Sequence, residues 1–207
     1  METVLISGTS RGLGKGLAKK FCKNDFNYYG LTKWNDLDIR EYEVINKYID
    51  YIHKDQFPKI LINNAGICQQ DNLLEADIKD IKNMFDVNFF SLVNLTQAFV
   101  KKCIEYDLKD CKIINIASTA GTGPRPGRSF YSASKAAVIN FSLSMSQELK
   151  EYGIKSFCIC PAAFDSDMRH EIEPDDDFKN MMKPETVAEK IFDIIKLDLD
   201  NQIIFIR

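Results

Sequence analysis

Histidine, long apolar runs and clustered basic residues are all scarce in this chain, and each scarcity closes off a class of function. Only His53 and His170 occur among 207 residues. Neither has cysteine or histidine neighbours at zinc-ligand spacing, so a metal site is not expected and both are read as surface or helix residues. No apolar stretch reaches the roughly 18 residues of a membrane span, so no membrane partner is expected. Lysine and arginine are dispersed and the net charge is −3, which argues against nucleic acid. Met1-Glu2-Thr3 runs straight into Val4-Leu5-Ile6, without the basic region and long apolar stretch of a secretory signal. The six cysteines, Cys22, Cys68, Cys103, Cys111, Cys158 and Cys160, contain no Cys-x-x-Cys pair. They are read as reduced, mostly buried small apolar residues, as expected in the cytoplasm.

What is present is a regular alternation. Short apolar runs at 3–7, 27–32, 59–63, 111–117, 155–160 and 202–206 read as strands. Longer amphipathic stretches at 12–24, 41–54, 78–107, 129–152 and 184–196 read as helices. Four of the six strands are almost continuously apolar, as strands buried on both faces are. The pattern predicts an α/β fold, a Rossmann-like doubly wound parallel sheet, in one domain over residues 1–207. Only a few residues separate the second strand from Asp36-Leu37-Asp38-Ile39, too few for a crossover helix of the usual length. That helix is expected to be missing or minimal.

The candidate chemistry lies after the strands, where such folds bind ligands. Ser7-Gly8-Thr9-Ser10-Arg11-Gly12-Leu13-Gly14 follows the first strand and opens a helix, so its glycines allow close approach of a phosphate to the helix N-terminus. Asn63-Asn64-Ala65-Gly66 follows the third strand, and Ser118 ends the next. Tyr131 and Lys135 stand four apart, on one face of a helix. An ammonium beside a phenol favours the phenolate, so the Tyr131 pKa is expected below its ordinary value.

The glycine spacing, Asn64-Ala65-Gly66, Asn88, Ser118, Tyr131-x3-Lys135 and Pro161-Ala162, in that order, resemble the motifs of the short-chain dehydrogenase/reductase family from residue 3 to about 168. The resemblance implies a carbonyl reductase in which Tyr131 donates the proton, Lys135 tunes Tyr131 and binds the cofactor ribose, Ser118 orients the substrate, and Asn88 anchors a water relay. It further implies cofactor contacts from Gly8, Ser10, Arg11, Gly12, Leu13, Gly14, Asp38, Ile39, Asn64, Ala65, Gly66, Pro161, Ala162 and Ser166. The second strand ends Leu31-Thr32-Lys33 without the acid that usually meets a ribose 2′-hydroxyl. Arg11 and Lys33 are therefore read as partners of a 2′-phosphate, favouring NADP(H) over NAD(H). The Asp38 alternative is a helix N-cap. Residues 162–183 match the substrate-covering segment, and their acid run Asp175-Asp176-Asp177 reads either as solvated loop or as a lid that disfavours anions. Helices 85–107 and 129–152 resemble the family's subunit-contact helices, which implies a homo-oligomer. The remaining alternative to catalysis is an NADP(H)-binding sensor or scaffold, suggested by the short frame; an intact proton donor beside the nicotinamide argues against it.

Overall fold

The computed structural model describes residues 1–32, 37–70, 72–197 and 203–207. Six parallel strands form one sheet: β1 (Thr3–Ser7), β2 (Asn27–Leu31), β3 (Ile60–Asn63), β4 (Lys112–Ile116), β5 (Lys155–Pro161) and β6 (Ile203–Ile206), in the order β2-β1-β3-β4-β5-β6. Side chains alternate across the sheet with the period of two that pleating imposes. Val4, Ile6, Ile62, Ile114 and Ile159 therefore meet helices α1 (Gly12–Cys22) and α7 (Pro184–Lys196). Leu5, Leu61 and Ile113 project the other way, onto α2 (Tyr42–Tyr51), α4 (Ser91–Glu105) and the end of α5 (Ser129–Glu148). Burial on both faces explains the continuous apolar runs, and Val4, Leu5 and Ile6 have no exposed surface at all. On the α1/α7 side Phe21, Phe26 and Phe192 meet edge to face, with centroids 5.0–6.1 Å apart.

The chain leaves β1 for β2 on one side and returns to β3 on the other. That reversal opens a crevice between the carboxyl ends of β1 and β3. Among the described residues α2 and a 3-10 turn at Lys54–Gln56 stand between β2 and β3, and 37–41 lead into α2 without helix. Leu37 and Ile39 pack on the α2/α4 cluster, so this short connection still covers core. The helix expected over 78–107 is α3 (Ile78–Phe85), a π-turn at Asp86–Phe90 and α4. The Ser91 N–H reaches back five residues to the Asp86 carbonyl. A sixth helix, α6 (Asp167–Ile172), forms inside 162–183 with the Ser166 hydroxyl as its N-cap, accepting from the Arg169 N–H at 3.2 Å. No described helix is long and apolar enough to cross a membrane. Cys22 is exposed, against the expectation for it, because it ends α1 on the side away from the core; Cys158 and Cys160 share one buried cluster.

Gly14 lies where the turn after β1 folds back on itself. A Cβ there would stand 2.0 Å from the Gly8 carbonyl oxygen and 2.5 Å from the Asn64 amide nitrogen. Gly14→Ala is expected to cost about 1–3 kcal/mol by overpacking and to weaken dinucleotide binding. Gly123→Ala, at a site with open space around it, is the control; equal melting temperatures for the two variants would contradict the packing described.

Candidate active site

Above the crevice lies a cleft of about 720 Å³. Its walls are the glycine turn, residues 64–68, the ends of β4 and β5, the start of α5 and the segment around α6. One buried hydroxyl joins the first two walls. Ser7 Oγ accepts from the backbone N–H of both Asn64 and Ala65 at 3.0 Å. The Asn64 side chain returns the link, donating to the Ser7 carbonyl at 3.0 Å and the Gly8 carbonyl at 3.2 Å. Asn64 therefore fixes the turn, and its amide hydrogens are committed to the protein. Arg11 is the N-cap of α1 but makes no side-chain cap. The first N–H groups of that helix, over Gly12, Leu13 and Gly14, face the cleft without a capping side chain, an arrangement suited to a phosphate.

At the other end Ser118, Tyr131 and Lys135 converge, with Asn88 and Gly66 behind them. Ser118 Oγ caps the turn Thr119–Thr122 by accepting from the Ala120 N–H at 3.1 Å; its own O–H is left to donate. Lys135 is 4% exposed. Its ammonium donates to the Ile116 carbonyl at the end of β4 (3.0 Å) and lies 5.9 Å from the Tyr131 ring centre. Asn88 sits in the π-turn, buried, and closes a two-point clasp on Ile67. Its Oδ1 accepts from the Ile67 N–H at 2.8 Å and its Nδ2 donates to the Ile67 carbonyl at 2.9 Å. The second amide hydrogen goes to Ser134 Oγ at 3.0 Å, and Ser134 donates to the Tyr131 carbonyl at 2.8 Å. Ser134, not singled out in the sequence, thus ties Asn88 to the helix that bears Tyr131.

Charge behaves differently from the spacing argument. Burial pushes the Tyr131 phenol up from 10.0 to about 12, and its hydrogen bond with Ser118 and the nearby Arg128 only partly oppose this. The expected lowering by Lys135 is overturned: desolvation, which helical spacing does not reveal, dominates. Burial likewise lowers Lys135 from 10.5 to about 8. Tyr131 therefore carries its proton at neutral pH.

At the far end Asp38 is neither the cap of α2, which is Glu41, nor open to solvent on all sides. It accepts from the Arg40 backbone N–H at 3.0 Å and from the Arg40 guanidinium at 3.0 and 2.6 Å. Arg40 also reaches Asn83 Oδ1 at 2.7 Å. Both Arg40 and Asn83 line the cleft; neither belongs to a motif, and only the fold brings them 43 residues together. Lys33 lies outside the described residues. Arg11 pairs through both guanidinium nitrogens with the Glu171 carboxylate of α6, the second contact at 3.1 Å, a partner 160 residues away that no local pattern signals. Pro161, Ala162 and Ser166 line the roof. Ala162 keeps an ordinary backbone conformation, with no positive φ, and Ser166 is occupied in capping α6. Ser10, Gly12, Ala65 and Ile39 also line the cleft.

The buried ammonium has a measurable consequence. The unfolded chain holds this proton to about pH 10.5, the folded protein to about pH 8. Between those values the unfolded state carries more protons, so stability rises with pH; below pH 8 the full desolvation cost, about 3 kcal/mol, is present. Lys135→Met removes that cost together with a hydrogen bond to Ile116 worth about 1 kcal/mol. The variant is expected to melt above the parent at pH 7, and the gap should narrow by pH 9.5. A melting difference that does not change with pH would refute the buried-charge assignment.

Comparison with known proteins agrees with this geometry. The family model described as short chain dehydrogenase matches residues 32–177. A 3-oxoacyl-acyl-carrier-protein reductase of Synechocystis is 31% identical over 193 residues, 83% of this chain and 77% of that protein. The reductase FabG of Chlamydia muridarum is 26% identical over 201 residues, covering 86% and 79%. The solved structure of 4-hydroxyisoleucine dehydrogenase with NADH superposes with a TM-score of 0.86 at 25% identity, over 100% of this chain and 96% of that one. That of ElxO with NADP gives 0.87 at 23%, over 99% and 96%. With its parallel sheet, glycine turn and Tyr131/Lys135 helix, the chain belongs to the short-chain dehydrogenase family of oxidoreductases.

Proposed function

We propose that the protein reduces a ketone or aldehyde to an alcohol with NADP(H). The observation that carries this reading is the convergence of Ser118, Tyr131 and Lys135 at one end of a cleft whose other end is the uncapped α1 turn with Arg11. When bound, the dinucleotide supplies a hydride to the carbonyl carbon. The Ser118 O–H donates to the carbonyl oxygen and orients it. The Tyr131 O–H, protonated at neutral pH, transfers its proton to that oxygen as negative charge develops there. Lys135 holds a positive charge beneath the site and stabilises the phenolate left behind. Asn88 fixes Ile67 and Ser134, and through them the spacing of the 64–68 loop from α5. Its Oδ1 retains one acceptor position for the water relay.

Arg11 supports the phosphate-bearing cofactor: it lines the cleft beside the turn and is held by Glu171, a partner a 2′-phosphate can replace. The named NADPH-dependent relative, 3-dehydrocapnine reductase of Ornithobacterium rhinotracheale, is in accord with this choice. Phe90, ending the π-turn before α4, and Leu143, on α5, are 48% and 40% exposed, which supports a homodimer formed through these helices. Six free cysteines support a cytoplasmic setting.

Tyr131→Phe deletes the proton donor alone. It is expected to lower the rate of NADPH-dependent carbonyl reduction at least a hundredfold while NADPH binding, followed by fluorescence, stays within a few-fold. Retained turnover would assign the proton to another group. Arg11→Ala is expected to weaken NADPH binding about tenfold or more and NADH binding little; equal losses for the two cofactors would remove the basis for NADP preference.

A further inference from the structure

The lip of the cleft beside Tyr131 carries a charge that no carboxylate among the described residues balances. Arg125-Pro126-Gly127-Arg128 forms a tight turn, with the Arg128 N–H donating to the Arg125 carbonyl at 3.0 Å. Pro126 fixes one central φ, and Gly127 supplies the other at +74°, a value that favours glycine. Such a turn holds its two ends, here both arginines, within about 7 Å. Its stem is tied to α5 by Ser132, whose hydroxyl lies 2.5 Å from the Ala120 carbonyl and 3.1 Å from the Gly123 carbonyl. The two arginines are thus placed by a stiff loop one turn of helix from Tyr131.

They have different fates. Arg128 is partly buried and pairs with Glu173 at 2.7 Å, just beyond α6, so its charge is spent on the roof of the cleft. Arg125 is exposed and lines the cleft. The one hydrogen bond its guanidinium makes among the described residues is to the carbonyl of its neighbour Pro124, at 3.4 Å; no carboxylate there pairs with it. Nor does the acidic roof segment supply one. Glu171 pairs with Arg11, Glu173 with Arg128, Asp176 with Arg169, and Asp165 with Lys183 and His170. Asp177 caps the turn Phe178–Asn180. Asp167 lines the cleft, but its charge acts on Arg11 at the other end. None of Asp175, Asp176 and Asp177 lines the cleft, whose lining includes the apolar Phe164, Met168 and Ile172.

We propose that Arg125 binds an anionic group, a carboxylate or phosphate, carried by the carbonyl substrate at a distance from the reacting carbon. This rests on the carbonyl-reductase reading above and narrows it to a substrate class. A planar guanidinium on a rigid turn suits two-point recognition of either anion. Its exposed position makes the contact sensitive to ionic strength.

The test uses the full chain with NADPH and matched pairs of ketones. One arm compares oxo-carboxylates of increasing length with their methyl esters; the other compares hydroxyketones with their phosphate monoesters. For at least one pair the charged member is expected to have the higher kcat/KM. Arg125→Ala should lower that value tenfold or more, mainly through KM, and leave the neutral member and NADPH binding within twofold. Arg125→Lys should recover part of the loss. The arm that responds identifies the anion. Preference for neutral members throughout, or an equal loss for both members of a pair, overturns the inference while leaving carbonyl reduction standing. No NADPH oxidation with any ketone removes both.

Discussion

The two ends of the cleft are held in register by the Ser7 hydroxyl. It receives two backbone N–H groups from the loop after β3, and Asn64 answers with two bonds to the loop after β1. Ser7 is 3% exposed, and losing its hydroxyl would leave two partly buried N–H groups unpaired, at up to about 1–3 kcal/mol each. The same link sets the position of Gly66, whose missing side chain leaves room for Lys135 and Asn88; a Cβ there would stand 3.4 Å from the ammonium and 3.3 Å from Asn88 Oδ1. A parallel sheet brings these loops near one another. The hydroxyl turns nearness into fixed distance, and the glycine turn and the 64–68 loop inherit it.

The roof is built on another principle. α6 contributes little to the core; none of its residues is buried. It is held over the cleft by ion pairs to both sides, Arg11–Glu171 toward the glycine turn and Arg128–Glu173 toward α5. The first is about half exposed, and contacts of that kind are weak and screened by salt. The roof is therefore attached far less firmly than the floor.

The strands were legible because double burial writes itself as unbroken apolar runs, and β1, β3 and β5 fall close to where Val4-Leu5-Ile6, Ile60-Leu61-Ile62 and Phe157-Cys158-Ile159 put them. Tyr131 and Lys135 were legible because helical spacing fixes which residues share a face. Three things were not. Arg11 finds Glu171 across 160 residues, and neither side chain advertises the other. The direction in which Tyr131 shifts depends on how much water the fold removes, and spacing carries no measure of that. The interruption at Asp86–Phe90 has no signature, since Asp-Val-Asn-Phe-Phe suits an α-helix as well as a wider turn. α6 was hidden for a related reason: at six residues, its pattern is too short to show a period.

That wider turn has a geometric effect beyond the clasp it gives Asn88. One residue more than a straight helix needs advances the azimuth of everything after it by roughly 100°. Met84 before the turn and Leu92, Leu95 and Phe99 after it are all buried. Phe90 lies two residues and so about 200° round the axis from Asn88; it is 48% exposed where Asn88 is 1% exposed, so one turn of chain couples the outer face of the molecule to a buried polar group.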